Sequence, residues 1–224
     1  MLEAIIFDFD GLILDTEYAD YHSWRELYRR HDVDLPVEMW RQHIGTIYTF
    51  DPYDYLVECV GRPLDREMVL SERRSLDNEL LAQLEILPGV TEVIYEAQDR
   101  GIKLAIASSA SHQWVAGHLP TLGLDGYFPI ICGRDDVGNQ PKPDPAVYQL
   151  AMKRLQVAPA NVIALEDSPN GIAAARAAGI FTIAVPNEMT RDLSFENANM
   201  ILSSLELLSL DDLIEKLQAT NEEK

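Results

Sequence analysis

Five short apolar runs recur along this chain: EAIIFDF near its start, KLAIAS (103–108), FPIIC (128–132), VIALED (162–167) and FTIAV (181–185). Each has the length of a strand, and helix-like stretches separate the last four, which is the pattern of a parallel sheet covered by helices. Near-continuous apolar runs suit strands buried on both faces. The expected fold class is therefore α/β, with a doubly wound parallel sheet. Helix punctuation agrees. DPAVYQLAMKRL offers Asp144 as N-cap with Pro145 at the first helical position, SPNGIAAARAAG ends at Gly179, and ILPGV precedes a run ending at Gly101.

From Glu17 to Ile86 the alternation stops. YADYHSWRELYRRH, DPYDYLVECVG and REMVLSERRSLDNELLAQL read as helix after helix, with no convincing strand between them. Such a block between the first two strands is an inserted all-helical cap domain, so the expected division is 1–16 and 87–224 for the core and 17–86 for the cap. Ligands in open α/β sheets bind outside the carboxyl ends of the strands, and a cap belongs over that edge. Trp24, Leu27 and Tyr28 at helical spacing read as the cap's own core. His22 and Tyr48 are candidates for facing the crevice from the cap, and Tyr53 and Tyr55 read equally as helix packing or as a ligand-facing wall. The connections near 14–16 and 86–89 are the expected hinges of cap closure, and the tail QATNEEK is expected to fray.

The chain has 224 residues, and 47% of them are apolar, enough to build a real core. Lys plus Arg number 18 against 37 Asp plus Glu, a net charge of −19. A field of that sign repels polyanions, so neither nucleic acid nor an anionic membrane surface is an expected partner. Any anionic substrate must be held by local groups or a cation. Cys59 and Cys132 have no CxxC spacing, which argues against a zinc knuckle or a disulfide framework, and both are expected to be buried or inert thiols. With no signal-like N-terminus and no apolar run near the ~20 residues of a membrane span, the expectation is a cytoplasmic protein, monomeric or a weak homo-oligomer.

The chemistry concentrates at strand ends. EAIIFDFD carries Asp8 and Asp10 two positions apart, on one face of an extended chain, where like charges crowd. KLAIASS ends in Ser108 and Ser109, VIALED ends in Glu166 and Asp167, and GNQPKPDP holds Lys142 between prolines. In a parallel sheet these ends share one edge, so the groups converge. Two unit charges ~4 Å apart repel by ~4 kcal/mol at an effective dielectric near 20. Four carboxylates in one crevice therefore demand a counter-charge. A few hard oxygen ligands, completed by water and a substrate phosphate, suit Mg²⁺. With a metal-bound phosphate, one carboxylate of DFD can attack phosphorus while the other protonates the leaving oxygen and later accepts a proton from water. Taken singly, several of these residues are ordinary helix caps: Asp15 or Thr16 for the first cap helix, Ser168 or Asp167 for the helix after ED.

DFDGLILDTE, SSA, the lysine of PKPDP and EDSPNG, in this order, resemble the four motifs of the haloacid dehalogenase superfamily, in particular its phosphatases and β-phosphoglucomutase-like members with a helical cap. The resemblance covers essentially the whole chain and implies a Rossmann-like core. It further implies Asp8 as nucleophile, Asp10 as general acid/base, and Ser108 and Lys142 as holders of the phosphoryl group. Backbone N–H groups after Asp8 would share that task, with Gly11 and Ser109 on the substrate side. Mg²⁺ would be bound by Asp8, Asp167 and the backbone carbonyl of Asp10, with Glu166 acting through a metal-bound water.

The substrate expected is a small phosphorylated metabolite, a sugar phosphate or similar monoester. Mutases resembling this chain carry a basic clamp in the cap for a distal phosphate. The corresponding stretch here, HIGTIYTF (43–50), has His43 and Tyr48 where lysine and arginine are expected, and RRSLDNEL (73–80) has Ser75 and Leu76 where mutases offer Lys and Asn. Hydrolysis is therefore the first reading and a β-phosphoglucomutase-type mutase the alternative. A haloacid dehalogenase has no need of Asp10 or the ED pair, and an idle binding protein would have lost Asp8, Asp10 or Lys142; all are present.

Overall fold

The computed structural model describes residues 1–41, 44 and 51–222, with side chains to residue 219. Six strands form one parallel sheet: β1 (Ala4–Phe7), β2 (Lys103–Ala107), β3 (Ile130–Cys132), β4 (Val162–Glu166), β5 (Phe181–Ala184) and β6 (Met200–Ile201), in the order β3-β2-β1-β4-β5-β6. The expected runs are the first five. The chain order reverses at β1, which lies between β2 and β4 with Ile6 opposite Ala105 and Ala164. That reversal opens a crevice at the carboxyl end of β1.

The strand side chains divide by parity. Ile5 and Phe7 of β1, Leu104 and Ile106 of β2, and Ile163 and Leu165 of β4 join one buried cluster. On that face lie α5 (Val90–Asp99), α6 (His112–His118) and α9 (Leu210–Glu222), through residues such as Ile94, Val115 and Leu213. Ala4, Ile6, Ala105, Ala107 and Ala164 face the other side, against Val147, Tyr148 and Ala151 of α7 (Ala146–Leu155) and Ala174 and Ala175 of α8 (Pro169–Ala177). The small residues there let α7 and α8 approach closely, which brings Tyr148 to the sheet edge.

Among the described residues, four helices occupy the segment between β1 and α5: α1 (Thr16–Arg30), α2 (Val37–Arg41), α3 (Pro52–Val60) and α4 (Arg66–Leu81). They have a hydrophobic cluster of their own, including Trp24, Leu27, Tyr28, Trp40 and Leu56, which also takes in Met189 from the segment after β5. Tyr53 belongs to this packing, with its hydroxyl donating to the Leu64 carbonyl at 2.6 Å. The two connections to the core run side by side, Leu14 bridging Ile86 and the Leu87 N–H reaching the Ile13 carbonyl at 3.0 Å. Asp15 caps α1 through Tyr18 N–H at 3.2 Å, as its position suggested.

Several local expectations shift. Pro145 itself occupies the cap position of α7, and Asp144 caps one residue earlier by accepting from Ala146 N–H at 2.9 Å. The tail does not fray at Gln218: α9 continues to Glu222 because Leu210, Leu213 and Leu217 pack on the core. Cys132 is buried, which pushes its thiol up to about 11, but Cys59 is exposed on α3. No helix among the described residues is long and apolar enough to cross a membrane.

Leu27 is fully buried within the helical segment and Ile163 within the sheet. Leu27→Ala and Ile163→Ala should each lower unfolding free energy by about 2–5 kcal/mol in urea denaturation; a loss below 1 kcal/mol at either position would show that its packing is described wrongly.

Candidate active site

The strand ends meet as the spacing requires. Asp8 follows β1, Glu166 closes β4 with Asp167 next to it, and Lys142 enters from the loop before α7. All four are nearly sealed from solvent, at 5%, 0%, 1% and 1% relative exposure respectively. Lys142 Nζ lies 2.8 Å from Asp8 Oδ1 and 2.6 Å from Glu166 Oε1. Its loop is held by the Lys142 N–H, which donates to Ser109 Oγ at 3.3 Å. Tyr148 donates its hydroxyl to the same Glu166 oxygen, and its ring lies 5.1 Å from Lys142 Nζ.

Asp8, Glu166 and Asp167 each offer a carboxylate oxygen, and these three atoms lie within 4.8 Å of one another. Protein donors hold the acids in place: Lys142 on Asp8 Oδ1, Lys142 and Tyr148 on Glu166 Oε1, Asn187 Nδ2 on Asp167 Oδ2 at 2.9 Å. Asp8 Oδ2 and Asp167 Oδ1 have no protein donor among the described residues. Ionised, three carboxylates and one ammonium leave two negative charges, the amount one divalent cation neutralises. Without it, Asp8 and Asp167 resist ionisation. Burial and the Glu166 charge, opposed by Lys142, push Asp8 up to about 8, and burial together with Asp8 and Glu166 holds Asp167 well above the usual carboxylate range. Burial would lower Lys142, but the charges of Asp8 and Glu166 outweigh it and hold the ammonium firmly protonated. This donor set fits a small, hard divalent cation.

Two glycines make the cluster possible. A Cβ on Gly171 would stand 1.8 Å from Glu166 Oε2, so the start of α8 can pass the carboxylate only as glycine. Gly11 has φ +83°, and a Cβ there would meet Asp167 Oδ2 at 2.2 Å. Asn187 ties these together, since the Nδ2 that holds Asp167 also donates to the Gly11 carbonyl at 2.9 Å.

Asp10 stands apart from this group. Its carboxylate accepts from Thr16 Oγ1 at 2.8 Å, Trp114 Nε1 at 2.9 Å and Ser108 Oγ at 3.0 Å. Of the four acids, three therefore share one cluster, and Asp10 faces the adjoining cavity with donors of its own. That cavity, ≈ 310 Å³, is lined by Asp8, Asp10, Ser108, Ser109 and Trp114 from the core and by Thr16, Glu17, Asp20, Arg73 and Asp77 from the helical segment. Burial and the charges of Asp20 and Asp10 hold Glu17 well above the usual carboxylate range.

Other expected residues fall differently. Gly11 is committed structurally: its N–H donates to the Leu14 carbonyl at 2.8 Å, and among the described residues the N–H groups after Asp8 that have no partner are those of Phe9 and Asp10. His22 does not line the cavity. Its ring lies against Tyr18, tilted at a centroid distance of 4.0 Å, and meets Tyr21 edge-on at 5.1 Å. Tyr48, with His43, lies outside the described residues. Trp114, Tyr148, Asn187 and Glu17 were not anticipated. Asn187 sits just beyond β5, where the same strand-end reasoning could have found it; Trp114 pairs with a residue 104 positions away, and no local signal marks it.

A parallel α/β sheet with a buried aspartate–lysine–acidic cluster at its reversal point defines a class of hydrolytic and phosphoryl-transfer proteins. Residues 5–185 match the haloacid dehalogenase-like hydrolase family, and the chain belongs to it. It is 40% identical over 221 residues to YhcW of Bacillus subtilis, named as a phosphatase, covering 99% of this chain and 100% of that one. It is 32% identical over 183 residues to the phosphorylated carbohydrates phosphatase of Thermotoga maritima, covering 80% and 82%. Among solved structures, β-phosphoglucomutase from Clostridium difficile superposes with a TM-score of 0.75 at 27% identity, covering 98% of this chain and 99% of that one.

A carboxyl group raised on folding holds its proton in the folded state, so its favourable contribution is complete below pH 3.8 and is lost as pH rises toward 8. In chelator, thermal stability should therefore fall for the wild type relative to Asp8→Asn between pH 5 and pH 8, and a divalent cation should reverse that fall. Parallel stability profiles for the two proteins would contradict the electrostatic description.

Proposed function

We propose that this chain is a Mg²⁺-dependent phosphatase of small phosphate monoesters, sugar phosphates or similar metabolites, working through an aspartyl-phosphate on Asp8, with residues 17–86 as a cap over the core 1–16 and 87–224. The observation that carries this reading is the buried Lys142 contact to both Asp8 and Glu166 beside Asp167. Asp8, Asp167 and the Asp10 carbonyl would hold the cation, with Glu166 behind them. When bound, Mg²⁺ supplies the missing positive charge and polarises the phosphoryl oxygens.

The chain's own groups then divide the work. An Asp8 carboxylate oxygen bonds to phosphorus as the ester P–O bond breaks, and Asp10 gives its proton to the leaving oxygen. Asp10 next takes a proton from the water that attacks phosphorus, which frees Asp8 and releases phosphate. Lys142, the Phe9 and Asp10 N–H groups and Ser108 hold the transferring group; Ser108 must first leave Asp10 Oδ2, so phosphate binding removes one of the three donors on that carboxylate. Thr16 and Trp114 keep Asp10 aimed at the cavity.

A mutase reading, in which the aspartyl-phosphate is passed to a sugar rather than to water, is favoured by the likeness to the Clostridium difficile enzyme. Of the cap residues that separate the two readings, His43 and Tyr48 lie outside the described residues, and Ser75 and Leu76 lie on α4.

Phosphate release from a panel of monoesters, including β-glucose 1-phosphate, tests the choice. Wild type should require Mg²⁺ and lose activity in chelator, and Asp8→Asn should abolish turnover. Asp10→Asn should slow alkyl esters about 10²–10⁴-fold and p-nitrophenyl phosphate much less. Turnover in Asp8→Asn, or equal slowing of both ester types, would overturn the assignments; conversion of β-glucose 1-phosphate to the 6-phosphate without phosphate release would mean a mutase.

A further inference from the structure

We propose that Arg134 is a substrate-binding residue that anchors a second anionic group, so the preferred substrate is a phosphate monoester carrying another phosphate or carboxylate several bonds away. This rests on the phosphoryl-transfer reading above and narrows its substrate class. Arg134 lies just beyond β3, at the carboxyl edge of the sheet, and lines the catalytic cavity.

The turn that carries Arg134 is clamped without using its side chain. The Arg134 N–H donates to the Ala110 carbonyl at 2.9 Å, and the Arg134 carbonyl accepts from Asn139 N–H at 2.8 Å. The adjacent acids, which would be its natural partners, are engaged elsewhere: Asp135 accepts from His112 N–H at 2.8 Å, and Asp136 from Gly133 N–H at 2.9 Å and Arg154 at 2.8 Å. Gly133 permits this fold, since a Cβ there would stand 2.3 Å from His112 N. The guanidinium is left with no hydrogen-bond or ion-pair partner among the described residues.

Among the described residues, the other cations at the site are paired. Lys142 is bound to Asp8 and Glu166, and Arg73, across the cavity, is paired with Asp20 and with Asp77 at 3.3 Å. The rest of the wall carries Asp10, Glu17, Asp20 and Asp77, so Arg134 supplies a positive charge that no neighbouring acid there has taken up. A guanidinium fork matches carboxylate or phosphate geometry and gains little from a neutral polyol. β2 separates β3 from β1, so at ~4.8 Å per strand the backbones of the two strand ends stand about 10 Å apart. Asp8 and Arg134 line the same cavity of ≈ 310 Å³, which has room for a small molecule that offers a phosphate to the first and a second anion to the other.

Calorimetric binding of butyl phosphate and butane-1,4-diol bisphosphate to Asp8→Asn protein with Mg²⁺ tests this without turnover. The bisphosphate should bind 10–100-fold more tightly than the monophosphate. In Asp8→Asn/Arg134→Gln the two should fall within about twofold of each other, and Asp8→Asn/Arg134→Lys should recover part of the preference. A preference that survives Arg134→Gln, or none in the parent, would overturn the proposal. An Arg134-dependent preference in a protein whose wild type hydrolyses no ester would retain this site and discard the phosphatase reading instead.

Discussion

The contact on which the site depends is the one between Lys142 and the two carboxylates beside it. A lysine at 1% exposure is costly to bury, and the cost is offset here because Nζ reaches both Asp8 and Glu166 within hydrogen-bond distance. The same bridge fixes the carboxyl ends of β1 and β4 relative to the loop before α7. Much of the surrounding structure serves it: Ser109 holds the loop, Tyr148 covers Glu166, and Gly171 lets α8 pass the buried carboxylate. Deleting the ammonium would leave adjacent buried acids without compensation, which is why the cluster stands or falls together.

With Asp167 included, the cluster is short of two positive charges, the amount one divalent cation supplies. Asp167 adds a third carboxylate, turned by Asn187 so that one oxygen is satisfied and the other stays open. Asp8 and Asp167, raised without a cation, would ionise more readily beside one. A divalent cation would cancel that deficit, so a phosphate would meet a neutral cluster in a protein whose overall field repels anions. Asp10, kept outside this group by Thr16, Trp114 and Ser108, experiences a different environment from Asp8, and such a difference lets two neighbouring aspartates take opposite roles.

What could be read in the sequence follows the range of the interactions. The first five strands were legible because strands covered on both faces are apolar almost throughout, and the site followed because polar residues at their carboxyl ends must share an edge. β6, two residues long at Met200–Ile201, leaves no such run. The α9 pattern of Leu210, Leu213 and Leu217 was readable in principle, but packing on the core rather than local propensity carries the helix to Glu222. The donors around the acids escaped because they are tertiary: Trp114 meets Asp10 and Asn187 meets Gly11 across 104 and 176 positions. Gly11 was expected on the substrate side; its positive φ and the bond from its N–H to the Leu14 carbonyl give it a structural role. His22 was expected at the crevice from its helix alone, and the rings of Tyr18 and Tyr21 decide otherwise.

The central claim is that Asp8 carries the phosphoryl group. Borohydride reduction during steady-state turnover of a good substrate, followed by peptide mass spectrometry, reads that bond directly, because an acyl phosphate is reduced to the alcohol while a free carboxylate is not. Homoserine at position 8, dependent on both substrate and Mg²⁺, is the result predicted. An unmodified Asp8 with reduction at another carboxylate would contradict the account.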